Sequence, residues 1–147
     1  MKKLLSLTCA ILMLSNISAC ADGSTKPISF SDLPEGAQTF VNTYFHSVQV
    51  SLVTRDNEAF DKSYDVIFDD GRKVEFDKSG EWKSVDCGRT AVPAGIVPAE
   101  IASYVNRKHP ENIILEIERD RNHYELQLDN DIELKFDMHF RLIGYDD

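Results

Sequence analysis

Between residues 33 and 45 the apolar side chains Leu33, Ala37, Phe40, Val41 and Tyr44 recur at i, i+4, i+7, i+8 and i+11, the spacing of one helical stripe. Asp32 and Glu35 form a candidate capping pair, and Pro34 falls in the first turn, where its missing N–H is harmless. The period then changes. Val48, Val50 and Leu52 alternate with polar residues, followed by Tyr64, Val66 and Phe68, by Val74 and Phe76, and by Trp82 and Val85. Alternation of this kind marks half-buried strands. Asp69-Asp70-Gly71 and the Asp77–Gly80 segment supply the tight-turn chemistry between them. One helix and a four-strand meander are expected here.

The same order recurs further along. Residues 33–45, LPEGAQTFVNTYF, align without gaps with residues 97–109, VPAEIASYVNRKH, and residues 64–77, YDVIFDDGRKVEFD, align with 124–137, YELQLDNDIELKFD. The second helical stripe is Val97, Ile101, Tyr104 and Val105, closed by Pro110. Ile113, Leu115 and Ile117 open the second set of strands, and Leu142, Ile143 and Tyr145 end it. Two gapless blocks in one order point to duplication. The expected fold is therefore α+β: two tandem repeats over residues 28–87 and 97–147, each a helix on a four-stranded antiparallel meander, with a linker at 88–96 and the sheets side by side. The connection between the first two strands is longer in the first half, which marks Asn57 to Lys62 as a candidate contact loop.

Ahead of this pattern stands a different one. Lys2 and Lys3 precede an apolar run from Leu4 to Leu14, and Ser18-Ala19-Cys20-Ala21 supplies small residues for cleavage. Residues 1–21 therefore read as a secretory signal peptide, with an apolar run short for a membrane span. Two processing routes are open. Cleavage after Ala21 releases a soluble protein, whereas a lipobox reading of Ile17-Ser18-Ala19-Cys20 makes Cys20 the acylated first residue of a lipoprotein attached to the outer membrane. Either route places the product outside the cytoplasm.

The leader carries two lysines and no acid, so its removal takes the formal charge from -9 to -11. An acidic chain lacks the basic footprint for sequence-independent nucleic-acid binding, and membrane contact is expected only through an anchor at Cys20. Processing removes Cys20 or commits it to lipid and leaves Cys87 as the remaining thiol, so the fold must rest on a packed core, for which 42% hydrophobic residues suffice. The neighbours of Cys87, namely Asp86, Gly88 and Arg89, offer no activating base in sequence.

The chemistry-bearing residues form no known catalytic motif. His46, His109, His123 and His139 do not have zinc spacing, and no nucleophile elbow, phosphate loop or dinucleotide fingerprint is present. Neither a cofactor nor a metal is expected. The oxygen-rich turns at Asp69, Asp70, Asp129 and Asp131 are weak calcium candidates, without an EF-hand loop. Period-2 logic puts Asp65, Ile67, Lys73 and Glu75 on the strand face away from the helices, with Glu125, Gln127, Glu133 and Lys135 sharing it. Ile67, Lys73, Glu75, Gln127, Glu133 and Lys135 are the expected partner-binding residues, with Trp82 either an aromatic anchor among them or a core residue.

The segments Val-Pro-Ala-Glu-Ile-Ala-Ser-Tyr-Val, Tyr-Glu-Leu-Gln-Leu and Glu-Leu-Lys-Phe-Asp resemble the PepSY-like family of exported proteins of Bacteroides-type bacteria. The resemblance spans residues 28–147. It implies a fold similar to beta-lactamase inhibitor protein, with tandem helical segments on four-stranded sheets, and carries no catalytic residue to transfer. Two turns depart from the family pattern: Asp131 stands where Gly is frequent, and His139-Phe140 replaces an Asn-Gly or Ser-Gly turn. The expected function is a noncatalytic periplasmic or surface module that binds another exported protein, with inhibition as one form of that role. The alternative is a calcium or small-ligand sensor using the acidic hairpin loops.

Overall fold

The computed structural model describes residues 25–58 and 61–147. The expected signal peptide and Cys20 lie outside the described residues. The chain begins with a short strand β1 (Lys26–Pro27), a 3-10 turn (Phe30–Asp32) and helix α1 (Glu35–Tyr44). Strands β2 (Val50–Glu58), β3 (Asp61–Phe68), β4 (Lys73–Asp77) and β5 (Trp82–Asp86) come next. After helix α2 (Ala99–Lys108) come β6 (Ile114–Arg119), β7 (His123–Leu128), β8 (Glu133–Asp137) and β9 (Leu142–Asp146).

The expected pair of helix-plus-four-strand units is corrected by the pairing. The described strands form one nine-stranded antiparallel sheet in chain order, β1 to β9, and the two described helices pack on it. The decisive contact is between β5 and β6, where Ser84, Val85 and Asp86 pair with Glu118, Ile117 and Glu116. One apolar row then crosses eight strands without a break: Val53, Val66, Val74, Val85, Ile117, Leu126, Leu134 and Tyr145. Sequence similarity between halves reports local structure, but only hydrogen bonding shows whether adjacent strand edges are joined.

Both helices cover the face that carries this row. Phe40 of α1 meets Phe76 edge-on at 5.5 Å, and Tyr104 of α2 meets Phe136 likewise at 5.3 Å. Ala37, Val41, Ile101 and Val105 are buried beneath them in one hydrophobic cluster. The proline preceding each helix, Pro34 or Pro98, is its N-cap. Asp32 does not pair with Glu35; its carboxylate accepts the Ser29 backbone N–H at 3.1 Å and closes the preceding 3-10 turn.

Three local expectations also change. The segment from Asn57 to Lys62 is no loop at its ends, because Asn57 pairs with Lys62 as β2 and β3 extend their ladder. Residues 88–96 do not act as a spacer: Val92 and Ile96 are core residues, and the Val92 N–H donates to the Ile114 carbonyl at 2.8 Å. Register shifts in β2 and β6 break the expected alternation, so Val53 turns into the core while Leu52 and Ile113 remain exposed. A bulge adds one residue to one strand and reverses the facing of the residues beyond it.

Candidate interaction face

Opposite the helices, alternation leaves two rows of side chains uncovered. One row runs Thr54, Asp65, Glu75, Ser84, Glu118, Glu125, Lys135, and the next runs Leu52, Ile67, Lys73, Asp86, Glu116, Gln127, Glu133, Asp146. Six of the expected partner-binding residues fall in these rows: Ile67, Lys73, Glu75, Gln127, Glu133 and Lys135. The placement follows from period 2 within strands and from antiparallel register between them.

The lysines of this face are neutralised locally. Lys73 lies 3.0 Å from Asp65, Lys83 lies 3.0 Å from Glu75, and Lys135 donates to Glu125. The His123 ring bridges Asp120 at 3.1 Å and Glu125 at 2.9 Å. The hydrogen bond from Lys135 holds the Glu125 carboxyl below its ordinary range, and Glu125 in turn raises the Lys135 ammonium. Across the centre the balance differs. Burial first, then the charges of Asp86 and Glu118, push the Glu116 carboxyl upward.

That repulsion has a measurable consequence. A carboxyl raised in the folded state is penalised as an anion there, so the penalty appears as pH rises through the raised value and vanishes in acid. Glu116→Gln removes the charge. We expect a higher melting temperature than wild type at pH 7 and no gain at a pH low enough to protonate Glu116 in both states. Thermal melts at the two pH values check this; equal melting temperatures at pH 7 would contradict it.

Trp82 is not on this face. It stands on the helix side, with Phe40 and Tyr124 each 6.5 Å away between ring centroids and the Arg119 guanidinium 4.7 Å from its ring. The β4–β5 register shift decides between the two readings, because it places Trp82 on the same side as Val85 while Lys83 joins Glu75. Trp82 instead lines an open groove of about 630 Å³ beside α2.

Two of the four acidic-turn carboxylates are engaged by neighbouring groups. Asp70 accepts the Arg72 guanidinium at 2.8 Å, which lowers its carboxyl, and Asp129 accepts Asn112 at 2.8 Å and the Ile113 N–H at 3.2 Å. Asp131 adopts a positive φ of 66° to make its turn. Among the described residues no three His, Cys, Asp or Glu side chains converge as a metal-binding group. Burial raises the Cys87 thiol to about 11, so it stays protonated at neutral pH.

The face offers breadth rather than depth. Two clefts on it measure about 190 and 120 Å³, below the roughly 300 Å³ at which small-molecule pockets begin. Sequence reasoning did not include Leu52, Asp86 and Asp146 in this surface. Their inclusion depends on the bulge in β2 and on the β5–β6 and β8–β9 pairing, which leave only weak local signals.

Residues 62–144 match the family model described as "Putative beta-lactamase-inhibitor-like, PepSY-like". A "putative periplasmic protein" of the DUF2874 family from Bacteroides vulgatus is 46% identical, with a TM-score of 0.82, over 84% of this chain and 97% of that one. A protein from Bacteroides thetaiotaomicron, described as a "putative calcium-regulated periplasmic protein", has the same identity, TM-score and coverage. A second Bacteroides vulgatus protein, described as periplasmic and of unknown function, is 30% identical with a TM-score of 0.79 over 84% of this chain and 99% of that one. The curated proteins contain no match. With the matched region covering most of the sheet, and with identity of this level over nearly the whole length of solved relatives, the chain belongs to the PepSY-like family.

Proposed function

We propose that this protein is a noncatalytic periplasmic module that binds another exported protein through the helix-free face of its sheet. The observation that carries the reading is the one-sided cover: both helices pack on the same face of the sheet, leaving two long rows of side chains open on the other. Leu52 is 42% exposed there and pairs with Ile67, an apolar pair at one end of a charged surface. Broad, shallow, mixed-charge faces with a small apolar focus suit protein contact better than small-molecule capture. The periplasmic placement rests on the N-terminal leader pattern and on the descriptions of the solved relatives.

One relative is described as calcium-regulated. In this chain the carboxylates of Asp70 and Asp129 are engaged within or beside their own turns. The docking reading is therefore preferred to the sensor reading.

The test compares partners captured from envelope extract by the wild type, by Ile67→Lys with Glu133→Lys, and by Asn106→Lys on the helix side. Affinity for a captured partner is expected to fall about tenfold or more in the sheet-face variant and to hold in the helix-side variant. Identical partners and affinities in all three would remove the proposed surface.

A further inference from the structure

The two halves flank their helices with side chains of different bulk. The backbone before each helix follows the same course: the Asp32 N–H donates to the Ser29 carbonyl and the Ile96 N–H to the Pro93 carbonyl, each at 3.0 Å. The alignment of the halves therefore extends back through this segment. At matching positions the first half carries Phe30, Glu35 and Gln38, and the second carries Ala94, Ala99 and Ala102. Phe30 packs against the core, and the Gln38 amide donates to the Leu33 carbonyl at 2.8 Å. All three alanines line the groove of about 630 Å³ beside α2. Short side chains leave the second helix with an open flank.

Aromatic surface and positive charge meet in this groove. Trp82, half-buried, lines it together with Tyr124 and Arg119. The Arg119 guanidinium donates to the Trp82 carbonyl at 3.0 Å and to Glu81 at 3.2 Å, just beyond the last β5–β6 pair, Ser84 with Glu118. Trp82 and Arg119 also line an adjoining hollow of about 580 Å³, to which Lys78, Lys83 and Arg121 contribute. The acids of that hollow, Asp77 and Asp120, are turned onto their own loops: Asp77 accepts the Ser79 N–H at 2.8 Å and Asp120 the Asn122 N–H at 2.6 Å. Lys83 pairs with Glu75, whereas Lys78 and Arg121 are exposed and form no ion pair with a described residue. In a chain of formal charge -9, the groove has a cationic mouth.

From these observations we propose that the groove binds an acidic peptide segment, laying an aromatic side chain against Trp82 and the three alanines and setting carboxylates beside Lys78, Arg119 and Arg121. The first half indicates the bulk that suits such a flank, a phenylalanine and a long polar side chain. The groove exceeds the roughly 300 Å³ at which ligand pockets begin. Tryptophan and arginine are the side chains that most often anchor contacts of this kind, and the uncommitted cations select a partner of opposite sign. Attraction is confined to a short segment, because screening over about 8 Å isolates the mouth from more distant charge and the chain as a whole repels an extended polyanion. The groove lies on the helix side, so this site does not rest on the docking role proposed above for the opposite face.

Trp82 is the single tryptophan of the chain, so its fluorescence reports occupancy of the groove directly. Titration with the end-capped peptide Glu-Phe-Glu should give a saturable change with a Kd of about 1 mM or tighter, and the capped peptide Lys-Phe-Lys should give none. Calorimetry then compares variants. Ala94→Phe combined with Ala102→Gln, which restores the residues of the first half, should weaken binding of Glu-Phe-Glu about tenfold or more with unchanged circular dichroism. Lys78→Glu combined with Arg121→Glu, both on the surface, should weaken it to a similar degree. Ile67→Lys with Glu133→Lys, on the opposite face, should leave it intact. No saturable change with Glu-Phe-Glu, equal binding of Lys-Phe-Lys, full affinity in either groove variant, or loss of binding in the sheet-face variant would each overturn the proposal.

Discussion

Replacing Ile117 with Asp is expected to unfold the entire chain. Ile117 is fully buried and sits at the β5–β6 junction, paired with the equally buried Val85. A carboxylate there must either lose its hydration or take up a proton, with no polar partner in the surrounding apolar row. The expected loss exceeds about 4 kcal/mol, a large part of the roughly 5–15 kcal/mol that holds a domain together. The breadth of the effect matters as much as its size. Because the core row continues from β2 to β9, strands β2–β4 should melt together with β6–β8. The single tryptophan, Trp82, beside the junction, reports locally by fluorescence, while far-ultraviolet circular dichroism reports the whole. For the wild type, coincident denaturant curves from the two probes are expected. A variant that keeps half its strand signal with a cooperative melt would show that the sheet is energetically two units.

Gly80→Ala is expected to cost roughly 2–5 kcal/mol, from two causes that a control can separate. Gly80 has a φ of +88°, a conformation costly for a residue with a Cβ. It is also buried against α1, where an added Cβ would come within 2.8 Å of the Pro34 Cβ and 3.1 Å of the Ala37 nitrogen. Gly71 shares the φ of +88° but has nothing within 4 Å of such a Cβ. Gly71→Ala should therefore show the backbone part alone, about 1–3 kcal/mol, and Gly80→Ala should exceed it. Denaturant midpoints of the two variants against wild type decide the matter. Equal losses would mean that the β4–β5 turn does not brace α1 as its geometry indicates.

These two positions differ in how legible they were. Gly80 was visible as a turn residue, since Asp77 to Gly80 reads as a tight connection, but its burial under Pro34 required the helix to be placed. Ile117 was visible as an apolar strand position, but its role at a junction was not. The helices were legible because their stripes keep a 3.6-residue period over three turns. The face assignments of Lys73, Glu75, Gln127, Glu133 and Lys135 were legible because β3, β4, β7 and β8 are regular. The face of Trp82 stayed open for the converse reason: a bulge costs one residue of sequence and has no fixed residue signature.

Local periodicity alone determined the two helices, most of the strand and turn positions, and which side of each regular strand is apolar. Tertiary structure alone decided that the described strands form one sheet, that the β2–β3 arm is paired from Asn57 and Lys62 inward, and that Val92 and Ile96 are core. The physical reason is range. Side-chain alternation is dictated by bonds between neighbours in sequence, whereas strand order, bulge position and edge exposure depend on hydrogen bonds between segments tens of residues apart, which no local pattern encodes.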